Sequence, residues 1–105
     1  MPERIAFRMK VHPGRIAEYK KRHDELWPEM IEALHAAGVS DYSIWHDPET
    51  DYLFGTLVRT DDHTMADLPR TEANKRWWKF MADIMDYNAD GTPHVVGLDR
   101  VFQLD

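Results

Sequence analysis

Cysteine is absent from the 105-residue chain. That excludes disulfide staples, thiolate nucleophiles and thiolate metal ligation together, and with them the small secreted scaffolds that depend on such bonds. Long apolar runs are absent too: none approaches the roughly 20 residues that a bilayer-spanning helix needs, and no apolar segment of signal-peptide type leads the chain. These absences read as a cytoplasmic protein with no membrane partner. Cations are in the minority, 13 Lys and Arg against 19 Asp and Glu for a net charge of −6. Nucleic acid is therefore not an expected partner, because phosphate contacts need a basic face. The basic run Lys20-Lys21-Arg22 is short and reads as a solvated helix edge. There is no Gly-rich phosphate loop and no nucleophile elbow, so phosphoryl transfer and acyl-enzyme chemistry have no support. The six histidines, His12, His23, His35, His46, His63 and His94, are scattered with no HxxxH or HExxH pair. No metal site is expected, and no cofactor. His46-Asp47, beside Glu49 and Asp51, reads as a solvated turn.

What the chain does have is aromatics, 11% of its residues and four tryptophans. Such an excess points to an oligomer interface or to a site for a flat or ring-shaped ligand. Two of the tryptophans are adjacent, in "TEANKRWWKFMADIM" (71 to 85). Neighbours on a helix point about 100° apart, so the pair needs a broad apolar face. Trp77 leads to Met81 and Ile84, and Trp78 to Met81 and Met85, which makes the two rings straddle one inward stripe. They are either packed core or the wall of a pocket.

The rest of the pattern is that of a single domain over residues 1–105. "RIAFRMKV" (4 to 11) alternates as a half-buried strand, and Pro13-Gly14 turns the chain. From Arg15 to Ala37 apolar positions recur at three or four, with Gly38 closing the helical stretch and Pro28 kinking it or starting a second helix. "DYSIWHD" (41 to 47) and "YLFGTLVR" (52 to 59) form a hairpin around "DPETD". A helix at about 71 to 86 follows, with Thr71 as N-cap. "ADGTPH" is loop, and "VVGLDRVFQL" (95 to 104) is a closing strand. The order β-α-β-β-α-β is the ferredoxin-like split βαβ, an α+β fold with helices on one face of an antiparallel sheet. Tyr52, Phe54 and Val58 on one side of a strand oppose Leu53 and Leu57 on the other, so the second face is apolar as well. A twofold homodimer packed sheet to sheet is the expected cover.

Tyr19 and His23 stand one helical turn apart, on the side that carries Ile16, Met30 and Leu34. A histidine on such a stripe is either a quietly bonded core residue or, beside a phenol, a group that could bind a hydroxylated ligand and move a proton near neutral pH. The strings "YKKRHDELWPEM" (19 to 30), "DYSIWHD" and "RWWKFMADIM" (76 to 85), with the "VFQLD" ending, resemble the L-rhamnose mutarotase family over essentially the whole chain. That resemblance implies a dimeric α+β barrel that interconverts the α and β anomers of L-rhamnose without a cofactor. It also implies His23 as proton donor, with Tyr19, Tyr42, Trp77 and Trp78 binding the sugar. In architecture the chain also resembles cofactor-free or haem-linked monooxygenases, small dimeric α+β barrels with Trp and His around an apolar cavity; a non-catalytic binding dimer is a third class.

Overall fold

The computed structural model describes residues 1–105. Strand β1 (Glu3–Lys10) is followed by helices α1 (Ile16–Asp24) and α2 (Pro28–Ala36) and by strands β2 (Val39–His46) and β3 (Tyr52–Arg59). A 3-10 turn (Met65–Arg70), helix α3 (Glu72–Met81) and strand β4 (Val96–Leu98) complete the chain. The strands form one antiparallel sheet in the order β2-β3-β1-β4. This is the split βαβ topology, with β1 and β3 central.

Local chemistry sets the breaks. Gly14 follows Pro13 with φ of 76°, a conformation that costs glycine nothing. Pro28 occupies the first turn of α2, where its missing N–H has no partner to lose. The expected break at Pro28 is therefore a second helix. Gly38 has φ of 91°, and a Cβ there would lie 2.4 Å from the Thr60 hydroxyl oxygen. Thr71 caps α3 through its Oγ1, which accepts from the Asn74 N–H at 3.2 Å.

Register decides which side chains face the helices. Met9 pairs with Leu53, Phe7 with Gly55 and Ile5 with Leu57, and β2 adds Ile44 and His46 to the same face. Gly55 is required there, because a Cβ would meet the Phe7 ring at 2.4 Å. Met9, Val11, Tyr19, Met30, Leu53, Trp77, Met81, Ile84 and Met85 form the core between this face and the helices. The opposite face carries Arg4, Ala6 and Arg8 with Phe54, Thr56 and Val58, flanked by Trp45 and Leu98.

Two elements are shorter than their sequence pattern suggests. α3 ends at Met81, not near residue 86, because the next residues pair with the end of β1: His12 N–H donates to the Ile84 carbonyl at 2.8 Å and Asp86 N–H to that of Lys10 at 2.9 Å. The closing strand spans Val96–Leu98, not 95 to 104. Beyond it Val101, Phe102 and Leu104 stand exposed, with nothing in a single chain to pack against.

Candidate active site

A cavity of about 1150 Å³ lies between the helices and the covered face of the sheet. All five residues singled out from the sequence, Tyr19, His23, Tyr42, Trp77 and Trp78, line it. α1 brings in the first two by its own periodicity. Their rings stack, with centroids 4.3 Å apart and planes inclined by 26°. Tyr19 is sealed at 5% exposure, and His23 is half-buried.

His23 Nδ1 lies 3.0 Å from the Tyr19 carbonyl oxygen. A carbonyl only accepts, so Nδ1 carries the hydrogen, and in the neutral ring Nε2 is left as a lone-pair acceptor. Burial pushes the imidazole pKa below its ordinary 6.5, against weaker upward pulls from the Tyr19 carbonyl bond and the nearby Asp24 carboxylate. The resting ring is neutral at pH 7. Trp77 meets it edge-on at 5.2 Å and 87°, and packs in turn on Trp27 at 5.2 Å and on Phe80 at 5.8 Å. With 7% exposure, Trp77 anchors the helices and backs the imidazole. Trp78 is less buried, and its backbone carbonyl accepts from the Tyr87 hydroxyl at 2.6 Å.

Tyr42 reaches the cavity through an irregularity in β2. Between the pairs Ser40–Val58 and Ser43–Thr56, two residues, Asp41 and Tyr42, face the single Leu57. This is a β-bulge, with Asp41 at φ of 47° and tied to the Arg4 guanidinium. Its effect is to put Tyr42 on the covered side, where its ring meets Phe7 edge-on at 6.0 Å. The Tyr19 phenol is raised far above its ordinary range, first by burial and then by the neighbouring phenols of Tyr42 and Tyr87. Desolvation pushes Tyr87 up to about 12. These hydroxyls stay protonated at neutral pH; those of Tyr19 and Tyr42 can donate to or accept from a hydroxylated ligand, whereas the Tyr87 hydrogen is committed to the Trp78 carbonyl and leaves only its oxygen to accept.

Three features differ from the sequence pattern. Arg22 is not part of a solvated edge: its Nη1 donates to the Phe80 carbonyl at 2.7 Å and to Asp83 at 2.8 Å, and its guanidinium lies 4.4 Å over the Phe80 ring. It ties α1, next to His23, to the end of α3. His46 is not confined to a solvated turn; it is half-buried, lines the cavity and lies 3.1 Å from Asp51. Tyr87 and Asn74 also line the cavity. Tyr87 sits past the helix, where no periodicity could mark it. Asn74 had a signal, a polar residue on an apolar helical stripe. No group of three or more His, Asp or Glu side chains is placed to hold a metal ion.

A helix-covered antiparallel sheet enclosing an imidazole, phenols and indoles defines an α+β protein of the dimeric α+β barrel fold. A chain of that fold from Bordetella bronchiseptica, described as an antibiotic biosynthesis monooxygenase, superposes with a TM-score of 0.65 at 18% identity, covering 96% of this chain and 98% of that one. At that identity the likeness is one of fold alone. The family model for L-rhamnose mutarotase matches residues 4–104, and the chain belongs to the L-rhamnose mutarotase family. The L-rhamnose mutarotase of Mesorhizobium japonicum is 54% identical over 104 residues, 99% of each chain. The crystal structure of the L-rhamnose mutarotase of Formosa agariphila superposes with a TM-score of 0.90 at 45% identity, covering 98% of this chain and 99% of that one.

Proposed function

We propose that this chain interconverts the α and β anomers of L-rhamnose as a cytoplasmic homodimer, without metal or organic cofactor, using His23 as its proton-transfer group. One observation carries the assignment to His23: its Nδ1–H is committed to the Tyr19 carbonyl inside an aromatic cavity, which leaves Nε2 free to act on a ligand.

Anomer exchange moves one proton and breaks one bond. Opening the ring transfers the O1 proton to the ring oxygen O5 as the C1–O5 bond breaks and C1 becomes an aldehyde. Rotation about C1–C2 and closure on the other carbonyl face, with the proton returned, gives the other anomer. Neutral His23 takes the O1 proton at Nε2, and the imidazolium so formed, still held by the Tyr19 carbonyl, is the donor to O5. A group with pKa near the working pH suits both halves of the cycle. Tyr19 and Tyr42 hydrogen-bond sugar oxygens. Trp78 covers the apolar C–H patches and the 6-methyl group, Trp77 closes the sugar site behind the imidazole, and the indole surface excludes water.

The homodimer is supported by the open sheet face, where Trp45 is 69% exposed beside Phe54 and Leu98 stands exposed at the far edge. Saturation-transfer NMR on the anomeric protons of L-rhamnose tests the activity. Exchange should accelerate with catalytic amounts of protein, and survive exhaustive dialysis against a chelator. Exchange at the spontaneous rate would refute the proposal.

A further inference from the structure

Asn74 is the one buried polar residue of the chain, with 4% of its surface exposed, and its Nδ2 has no hydrogen-bond partner. Its backbone N–H serves the Thr71 cap, but the side-chain amide takes no part in capping. On the helix it shares a line with Met81, seven residues on, which is 1% exposed at the centre of the core. Trp77 and Trp78, three and four residues on, flank that line on either side. The amide therefore points where a leucine or methionine would be expected, and it lines the same cavity as His23, Tyr42 and both tryptophans. A buried donor without an acceptor destabilises a fold relative to an apolar side chain of similar size. Residues kept at such a cost to the empty protein are characteristic of ligand sites.

We propose that Asn74 is a substrate-recognition residue, whose amide hydrogen-bonds a secondary ring hydroxyl of the sugar held by Trp77, Trp78 and His23. This rests on the mutarotase reading and adds to it a determinant of which pyranoses the chain accepts. The chemistry matches a polyol: Nδ2 donates and Oδ1 accepts, so one amide can engage a single hydroxyl both ways or bridge a vicinal pair. A carboxamide does not titrate in the physiological range, so its contribution is to binding and orientation, not to proton transfer. A site built to pair with a hydroxyl discriminates against sugars that lack it, because the amide is then buried unpaired again.

The test crosses two sets. Wild type, Asn74→Leu and Asn74→Met are each assayed by saturation transfer on L-rhamnose and on its 2-, 3- and 4-deoxy derivatives; methionine adapts to irregular space should leucine overpack. On L-rhamnose the variants should lose roughly 10- to 100-fold in kcat/KM with an unchanged pH profile, while the ligand-free melting temperature holds or rises. With one deoxy sugar the wild type should lose a similar factor and the variants nothing further. Wild-type kcat/KM on L-rhamnose in both variants, or an equal loss on every sugar, would make Asn74 an orphan core residue and overturn the proposal. A wild type that fails to accelerate any anomer exchange would instead overturn the mutarotase reading, and the sugar assignment with it.

Discussion

The two faces of the sheet are built from alternate residues of the same strands and end in opposite circumstances. Leu53 and Leu57 are all but sealed beneath the helices, whereas Phe54, between them, and its neighbour Trp45 stand open to solvent. Both faces carry large apolar side chains, although the open one also carries Arg4, Arg8 and Lys10, so the presence of such side chains does not by itself tell the faces apart. What differs is whether the chain supplies its own cover. The covered face closes over a cavity and gathers the imidazole, phenols and indoles; the open face, with Arg4, Arg8 and Lys10 along central β1, gathers no such set and offers area instead. The cavity and the uncovered face are thus back to back, one residue out of phase.

The largest expected effect is on the covered side, where Trp77 is wedged among His23, Trp27 and Phe80. Trp77→Ala should cost about 3–5 kcal/mol of stability, the usual toll of truncating a buried aromatic, measured by urea unfolding. Trp78→Ala, at a less buried position, should cost less stability and weaken sugar binding. Equal destabilisation by the two would erase the distinction between anchor and wall. On the open side, Phe54→Lys should convert a sedimenting dimer to a monomer at micromolar concentration while leaving the near-ultraviolet signal of the cavity aromatics in place. A wild type that sediments as a monomer would mean that the open face needs no cover.

A smaller effect follows from burial of His23. Its folded pKa lies below the unfolded value, so between the two the unfolded chain binds more protons. The contribution to stability is unaffected above pH 6.5 and is lost as pH falls below it towards the folded pKa. For the same reason Nε2 stays unprotonated, and the acid limb of kcat/KM should fall below pH 6.5. A limb above that value would show that the imidazole doing the chemistry is not desolvated.

Much of the fold was legible because it depends on local pattern. Alternation marked β1 and β3, and Pro13-Gly14, Pro28, Gly38 and Thr71 act where they stand. The limits lie where distant backbone intervenes: residues 84 to 86 leave the helix to pair with residues 10 to 12, and the last strand stops where the single chain offers nothing to bury Val101 or Phe102. The site divides in the same way. Tyr19 and His23 are one turn apart on any helix, so their meeting was readable. The face of Tyr42 depends on a bulge at Asp41, and the separate duties of Trp77 and Trp78 depend on how α3 is rolled against α1 and α2, which adjacent letters cannot encode.

The central claim is that His23 moves the proton. Replacing His23 by asparagine keeps a polar side chain able to bond the Tyr19 carbonyl while removing the titrating nitrogen. Saturation transfer on the anomeric protons of L-rhamnose, with wild type and His23→Asn compared from pH 5 to 9, should show the variant slower by roughly 10²- to 10⁴-fold, the usual contribution of one positioned acid-base group, with sugar affinity and melting temperature little changed. Near-normal exchange across that range would contradict the account, making His23 a structural histidine and leaving Tyr19 as the next group to test.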